Sequence, residues 1–445
     1  MGSHPREHVT VGIVGGGIAG LALARMLELS GISYFLWEAY REFAPHTGAS
    51  VGLMPNGLRI LDQLGMIDEF NEYNVKRGEW EHRDGNGNLR TSHNPGAIFE
   101  EKLGYGGIFM ERQRVLQILF ESIEDKTRLH SSKRVVSVVQ TDREAVIVSE
   151  DGSKLGCDFV AGADGVRSVI RREIEKATLA TKGPESRFDA RYACVYGISN
   201  PVSGIEPGRS FTVYRPDVSL LIFCGHSGDI YWFMTHDLKR TIAFEKREKF
   251  SEHDIEKLYA QVADKIVTDG VIFASIFENR RAAVMTALEE GIADQFVSGR
   301  LFVLGDSAHK MVPQAAMGAN QALESATAFV NILRPFLSQK TSPSSNPYFT
   351  QSEVELCLKQ YDLQRRARVT EAFRRANLTC RAHLKIGPAG EEYWANLPKM
   401  MTPVAISKLL ESFSRGEVLE NWSMGSTNMA VCTGFGEAKE CISKL

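Results

Sequence analysis

The sequence predicts an α/β protein in three pieces: a nucleotide-binding unit around a parallel sheet, an inserted antiparallel sheet, and a helical C-terminal part. Three observations carry this. An apolar run at 9–14 leads into Gly15-Gly16-Gly17-Ile18-Ala19-Gly20 and a helical stretch to Leu29, and a second apolar run ends at Glu38. Between about 188 and 286 the texture changes to short, aromatic-rich alternating segments, the pattern of strands. Residues 352–384 then read as one strong helix.

The glycine segment has the whole context of a dinucleotide-binding βαβ unit: strand before, helix after, acid about twenty residues on. Gly15 permits the tight turn, Gly17 lets a pyrophosphate approach the backbone, and Gly20 lets helix and strand pack closely. Free N–H groups and the dipole of the helix start favour phosphate. Glu38 is placed to accept from a ribose hydroxyl. An acid there repels a 2′-phosphate, so the adenosine of FAD or NAD fits better than that of NADP.

Further elements follow in order. Residues 9–60 read as strand, helix, strand, turn and helix, and 112–124 as a helix. Strands at 134–139 and 145–148 flank a polar turn, Asp142-Arg143-Glu144. The middle segment offers strands at 192–197, 210–214, 219–225 and 230–235, and nucleotide-type texture returns at 301–333. The predicted division is a nucleotide-binding domain (1–187 and 287–384), a substrate-binding sheet domain (188–286) and a C-terminal segment (385–445). Residues 338–347 read as a polar loop. Residues 420–435, rich in Gly, Ser and Asn, have the texture of a mobile segment. Arg365-Arg366-Ala367-Arg368 reads as a solvated or ion-paired helix face rather than a phosphate site.

Bulk properties exclude several classes. The 445 residues, 43% apolar and 24% charged, exceed one ordinary core and match a soluble globular chain. A net charge of −3 leaves no nucleic-acid footprint. No apolar run reaches the ~20 residues of a membrane span, and the first residues lack a signal-peptide core. Seven scattered cysteines without a CxxC point to reduced thiols, neither zinc nor a dithiol centre. The expectation is a cytoplasmic protein. Residues 403–410 suggest a short amphipathic helix packed on the protein, with weak membrane association as the alternative.

Two more strand-then-turn segments carry an acid: Ala161-Gly162-Ala163-Asp164-Gly165-Val166-Arg167-Ser168, and Gly305-Asp306-Ser307-Ala308-His309. In this order and spacing the three motifs resemble the fingerprints of FAD-dependent monooxygenases built like para-hydroxybenzoate hydroxylase. The segments Gly48-Ala49-Ser50-Val51-Gly52-Leu53-Met54-Pro55-Asn56-Gly57, Met110-Glu111-Arg112-Gln113-Arg114-Val115-Leu116, Arg191-Tyr192-Ala193-Cys194-Val195-Tyr196-Gly197 and Gly318-Ala319-Asn320-Gln321-Ala322 are similar to the fungal branch that oxidises natural products, including epoxidases of prenylated meroterpenoids and indole terpenoids. The likeness spans roughly residues 9–369.

The resemblance implies a Rossmann-like, GR2-type FAD-binding fold with an inserted antiparallel-sheet substrate domain. It implies tightly bound, non-covalent FAD, NAD(P)H as transient co-substrate, and oxygen transfer from a flavin C4a-hydroperoxide. The protein then orients substrate and excludes water while the cofactor carries the hard chemistry. Residue by residue it implies Asp164 at the FAD and NAD(P)H motif, Arg112 near the flavin and phosphates, and Asp306 on the flavin side. Asp306 also suits the N-cap of a helix from Ala308. Gly52 is expected to give a backbone contact in the mobile-flavin loop. Gly318 and Ala319 open a helix whose N–H groups suit the flavin O2 and N1 region, where negative charge develops. Pro313-Gln314-Ala315-Ala316-Met317-Gly318 departs from the family's Pro-x-x-Gly-x-Gly pattern, with Met317 where a polar residue is common. Arg191 takes a catalytic role in the fungal branch, and Tyr196 is a second, weaker candidate. His309 reads as structural.

The expected substrate is a small apolar polycycle, with O₂. Phe211, Leu220, Leu221, Ile222, Phe223, Trp232 and Phe233 give the middle domain an apolar lean, although at least half of them belong to its core. Epoxidation and hydroxylation remain open, and a phenol hydroxylase would add a base that makes phenolate. A flavin halogenase would carry a tryptophan-pair motif, which the five tryptophans do not form, and a disulfide reductase would need a cysteine pair. A non-enzymatic binding protein on a relic fold is a third alternative, and retention of all three motifs argues against it. Oligomeric state is not encoded in any of these features.

Overall fold

The structure, a computed structural model, describes residues 7–45, 50–179, 188–340, 348–400 and 402–422. Residues 46–49 of the expected flavin loop, 341–347 of the polar loop and most of the 420–435 segment lie outside the described residues, as do Cys432 and Cys441.

The nucleotide-binding sheet has eight strands. Across it run Val297–Ser298, Leu301–Val303, Lys154–Gly162, His8–Val14, Tyr34–Trp37 and Leu129–His130. The last five are mutually parallel. Ala145–Ser149 and Val135–Gln140 extend it antiparallel from Lys154–Gly162. His8–Val14 reads as a nearly continuous apolar run because both faces are covered. Helix Ile18–Leu29 buries Leu21, Leu23, Met26 and Leu27 and packs on helix Gly318–Ser338.

The second sheet has seven strands in the order Arg280–Glu289, Ala190–Ser199, Ile230–Ile242, Val218–Cys224, Ser210–Tyr214, Trp80–Asp84, Leu89–His93. All neighbours are antiparallel except Ser210–Tyr214 with Trp80–Asp84, which is parallel. Two of its strands therefore come from far upstream of residue 188. The outer face packs Val195, Phe211, Leu220, Ile222 and Trp232 against helices Glu252–Tyr259 and Phe273–Phe277. The inner face sends Tyr192, Cys194, Leu221, Phe223 and Phe233 into the core shared with the nucleotide-binding sheet. The apolar residues expected of this sheet thus divide by parity: Leu221, Phe223 and Phe233 face inward, and the other four form the outer core. Gly197 makes room for an indole, since a Cβ there would lie 1.9 Å from Trp232 Cζ2.

The long helix Gln351–His383 starts with a Thr350/Glu353 capping box and packs on Gly318–Ser338. Arg365 is fully buried rather than on a solvated face, ion-paired to Glu324 at 3.1 Å. Arg366 pairs with Asp362 and Arg368 with Glu324. Helix Pro403–Ser414 docks Phe413 edge-on to Phe99 at 5.1 Å. Among the described residues no helix is long and apolar enough to cross a membrane.

Candidate FAD and substrate site

The three acidic motifs meet at the C-terminal ends of the parallel strands, where such sheets bind ligands. Gly15 takes φ +105°, and a Cβ on it would lie 2.4 Å from the Ala163 carbonyl oxygen; the first turn is thus locked against the second motif. A Cβ on Gly20 would lie 1.9 Å from the Gly15 carbonyl oxygen, so helix and turn approach as only glycine allows. Gly305, with φ +60°, packs against Ala19, joining the third motif to the first.

What faces the ligand is open. A Cβ on Gly17 or Gly318 would meet nothing within 4 Å. Neither the Ile18–Leu29 helix nor the Gly318–Ser338 helix has a side-chain cap, so the cap residues leave their first N–H groups free to bind an anion. Glu38 is buried, and its carboxylate accepts from Gly16 N at 2.5 Å and Tyr40 N at 2.8 Å. Each oxygen keeps a lone pair for a ribose hydroxyl.

Arg112 begins helix Arg112–Ser122 and lies in the fields of both Asp306 and Glu38. Burial pulls its pKa down while the two acids raise it; a guanidinium remains charged under such shifts. A cation between the two ends of the site suits a pyrophosphate. Asp164 accepts from Val169 N at 2.6 Å and from Ser307 Oγ at 3.3 Å, holding the helix Val169–Leu179 to the third motif. Burial raises its pKa against the hydrogen bonds of Ser168 and Val169. Asp306 sits in the 3₁₀ turn Gly305–Ser307 and caps no helix at Ala308. The chain there pairs as the short strand His309–Lys310 with Gly291–Ile292. Instead Asp306 accepts from Lys310 Nζ at 2.6 Å, and this attraction raises the lysine's pKa. Lys310 carries no motif signal in the sequence.

Asn320 ties together the segments expected to carry the flavin. Its Nδ2 donates to the Gly52 carbonyl at 3.0 Å and the Ala316 carbonyl at 2.6 Å, and its Oδ1 accepts from Met54 N at 2.9 Å. Strand Ser50–Leu53, the left-handed Ala316 (φ 52°) and the helix start at Gly318 and Ala319 thus form one cradle. Met317 is buried, as an apolar residue in this turn requires. His309 is buried against Ser325 Oγ at 3.1 Å, and its pKa is pushed down to about 4 by burial.

Opposite the cradle stands the inner sheet face. Phe109, beside Gly52, stacks on Phe223 at 3.6 Å, and Phe223 meets Trp80 and Phe233 edge-on. Tyr196 is half-buried, edge-on to Phe233 at 5.4 Å, and feels the charges of Asp306 and Glu289. Arg191 is elsewhere on that strand. It is the exposed extra residue of a bulge between Ala190 and Tyr192, in a cavity of about 410 Å³ with Asp237, Asn377 and Arg381. It lies five positions before Tyr196, about 16 Å along the strand.

These features fit FAD: two open helix N-termini, an acid at the ribose position, a cation between, and a glycine-lined cradle. The FAD binding domain family matches residues 8–376. The FAD-dependent monooxygenase ausM of Aspergillus calidoustus is 34% identical over 385 residues, covering 86% of this chain and 82% of its own. The FAD-dependent monooxygenase penM of Penicillium crustosum is 32% identical, covering 86% and 80%. Among solved structures, Klebsiella pneumoniae HpxO complexed with FAD and uric acid has a TM-score of 0.74 at 20% identity, covering 92% of this chain and 97% of that one; at that identity the likeness concerns the fold. With most of its length matched and the acids, cradle and open N-termini in place, this chain belongs to the FAD-dependent monooxygenase family.

Proposed function

We propose that this enzyme uses NAD(P)H and O₂ to epoxidise or hydroxylate an apolar polycyclic natural product, of the terpenoid, meroterpenoid or prenylated-indole kind. The observation that carries this is the aromatic lining between cradle and inner sheet face: Phe109, on the strand paired with Ser50–Leu53, and Phe223, Phe233, Tyr196 and Trp80 from the sheet. The ionisable groups of the inner sheet face stay protonated: burial pushes Cys194 up to about 12 and raises Tyr196. Such a wall favours shape-directed oxygenation over phenolate activation.

Bound FAD, once reduced, supplies the O₂ activation. The chain's own residues do the rest. The first N–H groups of Gly318–Ser338 stabilise negative charge at the flavin's polar edge. Arg112 would hold the pyrophosphate, the aromatic wall excludes water, and Arg191, about 16 Å along the strand from Tyr196, hydrogen-bonds only a part of the substrate remote from the reacting atoms. On this reading 1–187 and 287–384 bind FAD. The substrate unit is 188–286 joined by the upstream hairpin of Trp80–Asp84 and Leu89–His93, and 385–445 forms the C-terminal segment.

The test is turnover of prenylated indoles and meroterpenoid precursors under ¹⁸O₂ with NADPH. A product heavier by one ¹⁸O supports the reading; NADPH oxidation with no oxygenated product from any of them overturns it. Arg191→Ala should retain the flavin spectrum and lose at least tenfold in product formation, about 1.4 kcal/mol in barrier; unchanged turnover removes Arg191 from the site.

A further inference from the structure

The turn Pro313–Ala315 immediately precedes the flavin cradle. Its middle residue, Gln314, is only 6% exposed. Gln314 Nε2 donates to Thr235 Oγ1 at 2.9 Å. Thr235 lies on the inner sheet face, cross-strand from Cys194 and Ser219 and two residues beyond Phe233. The side chain therefore spans the gap between cradle and sheet. Its other amide atom, Oε1, is buried and accepts no hydrogen bond among the described residues. A buried amide oxygen is rarely left without a donor, because losing water without replacement is costly. Thr235 Oγ1 is already engaged, with Cys194 Sγ at 3.7 Å on its other side.

We infer that Gln314 is a specificity-determining residue whose Oε1 accepts a hydrogen bond from an O–H or N–H group of the substrate. The substrate class is then narrower than an apolar polycycle: it is one bearing a hydroxyl or indole N–H. The aromatic wall takes the ring system, and the amide fixes its orientation by its one donor. A methylated analogue leaves Oε1 dry and unpaired, and such sites reject the partner that lacks the donor more strongly than a greasy pocket rejects a missing methylene. The inference rests on the reading of the space between cradle and sheet as the substrate site.

The probes are a prenylated indole with free N–H and its N-methyl derivative, and a prenylated phenol with its O-methyl ether. Rates are taken per bound flavin, so a loading defect is not read as specificity. The wild-type enzyme should prefer the donor-bearing member of a pair by about 10- to 100-fold in kcat/KM. Gln314→Met should erase that preference through a higher KM for the donor-bearing probe. Gln314→Glu, which keeps an acceptor, should preserve it. If wild type turns over both members equally, or Gln314→Met keeps the preference, the inference falls while the monooxygenase reading stands. If no probe of either pair is oxygenated, that reading falls and the inference with it.

Discussion

At Glu38 the backbone sets the orientation of a buried carboxylate. Two backbone N–H groups fix it, so the charge it would present to a ribose is rigid. Glu38→Arg replaces two accepted hydrogen bonds with a cation facing the donor Gly16 N. It should weaken FAD binding at least tenfold, about 1.4 kcal/mol, by titration of the apoprotein followed through flavin fluorescence; unchanged affinity would place the ribose contact elsewhere. Glu38 and the glycines were legible because their spacing is local and each has one physical job. Lys310, Asn320 and Gln314 were not legible as site residues, since their partners are fixed by tertiary structure. The Asp306 misreading has the same origin. The turn suited an N-cap, but the next residues found a strand partner, Gly291–Ile292, that no local pattern shows.

At the scale of elements, helix Gly318–Ser338 is held under the cradle by a buried network. Arg365 donates to Glu324, Gln321 and Ser325, Arg368 to Glu324, and Asn56 to Glu324 Oε1 at 2.6 Å. Burial pushes Glu324 up, but the two guanidiniums outweigh it and hold its carboxyl below the usual range. Arg365→Met leaves a buried carboxylate short of its main partner and should cost about 3–5 kcal/mol of stability, read by denaturant unfolding of the FAD-loaded enzyme. The double variant with Glu324→Leu should recover most of that loss; equal destabilisation of both would mean the charges are not coupled. In the sequence the arginines looked like a helix surface because the helix exposes charge on most of its length. The acid of Arg365 and Arg368, Glu324, lies 41 and 44 positions upstream, on another helix. The inserted sheet was legible as four strands by alternation. Its hairpin Trp80–Asp84 and Leu89–His93 was not, since Trp80 pairs with Ser210 across a separation that periodicity does not record. Nor did alternation say which parity faces the flavin, because both faces are buried.

At the scale of the whole molecule, buried histidines couple stability to pH. Burial pushes His309 down to about 4 and His383 down to about 3. For both, the folded value lies below the ordinary one, so the unfolded chain binds more protons between the two. Their contribution is present above about pH 6.5 and is lost as pH falls toward the folded values. His82, in the stack with His93 and Tyr214, is also lowered by burial and acts in the same direction. Asp158 opposes them: burial raises it to about 7, so it gains stability as pH falls from about 7 to 4. Each group changes stability by about 1.4 kcal/mol per pH unit while titrating in one state only. Asp62, Asp164, Glu290 and Glu417 are raised by burial and act with Asp158, whereas His93 and His130 are lowered by burial and act with His82, so the histidine share is read by difference. Thermal unfolding at pH 7.5, 6 and 5 should show the wild-type Tm falling relative to that of His383→Phe as pH drops; a constant difference would mean that His383 is not buried neutral. The family and cofactor were legible from three motifs in order, because flavin binding constrains backbone and spacing together. Substrate identity was not, since it is set by side chains from two sheets meeting across a gap.

The central claim is tested most directly by the visible spectrum of the purified protein, followed through anaerobic NADPH addition and then admission of O₂. The account predicts oxidised-flavin bands that bleach with NADPH, then a transient absorbance distinct from reduced and oxidised flavin before the bands return. A colourless protein that added FAD does not reconstitute would contradict it.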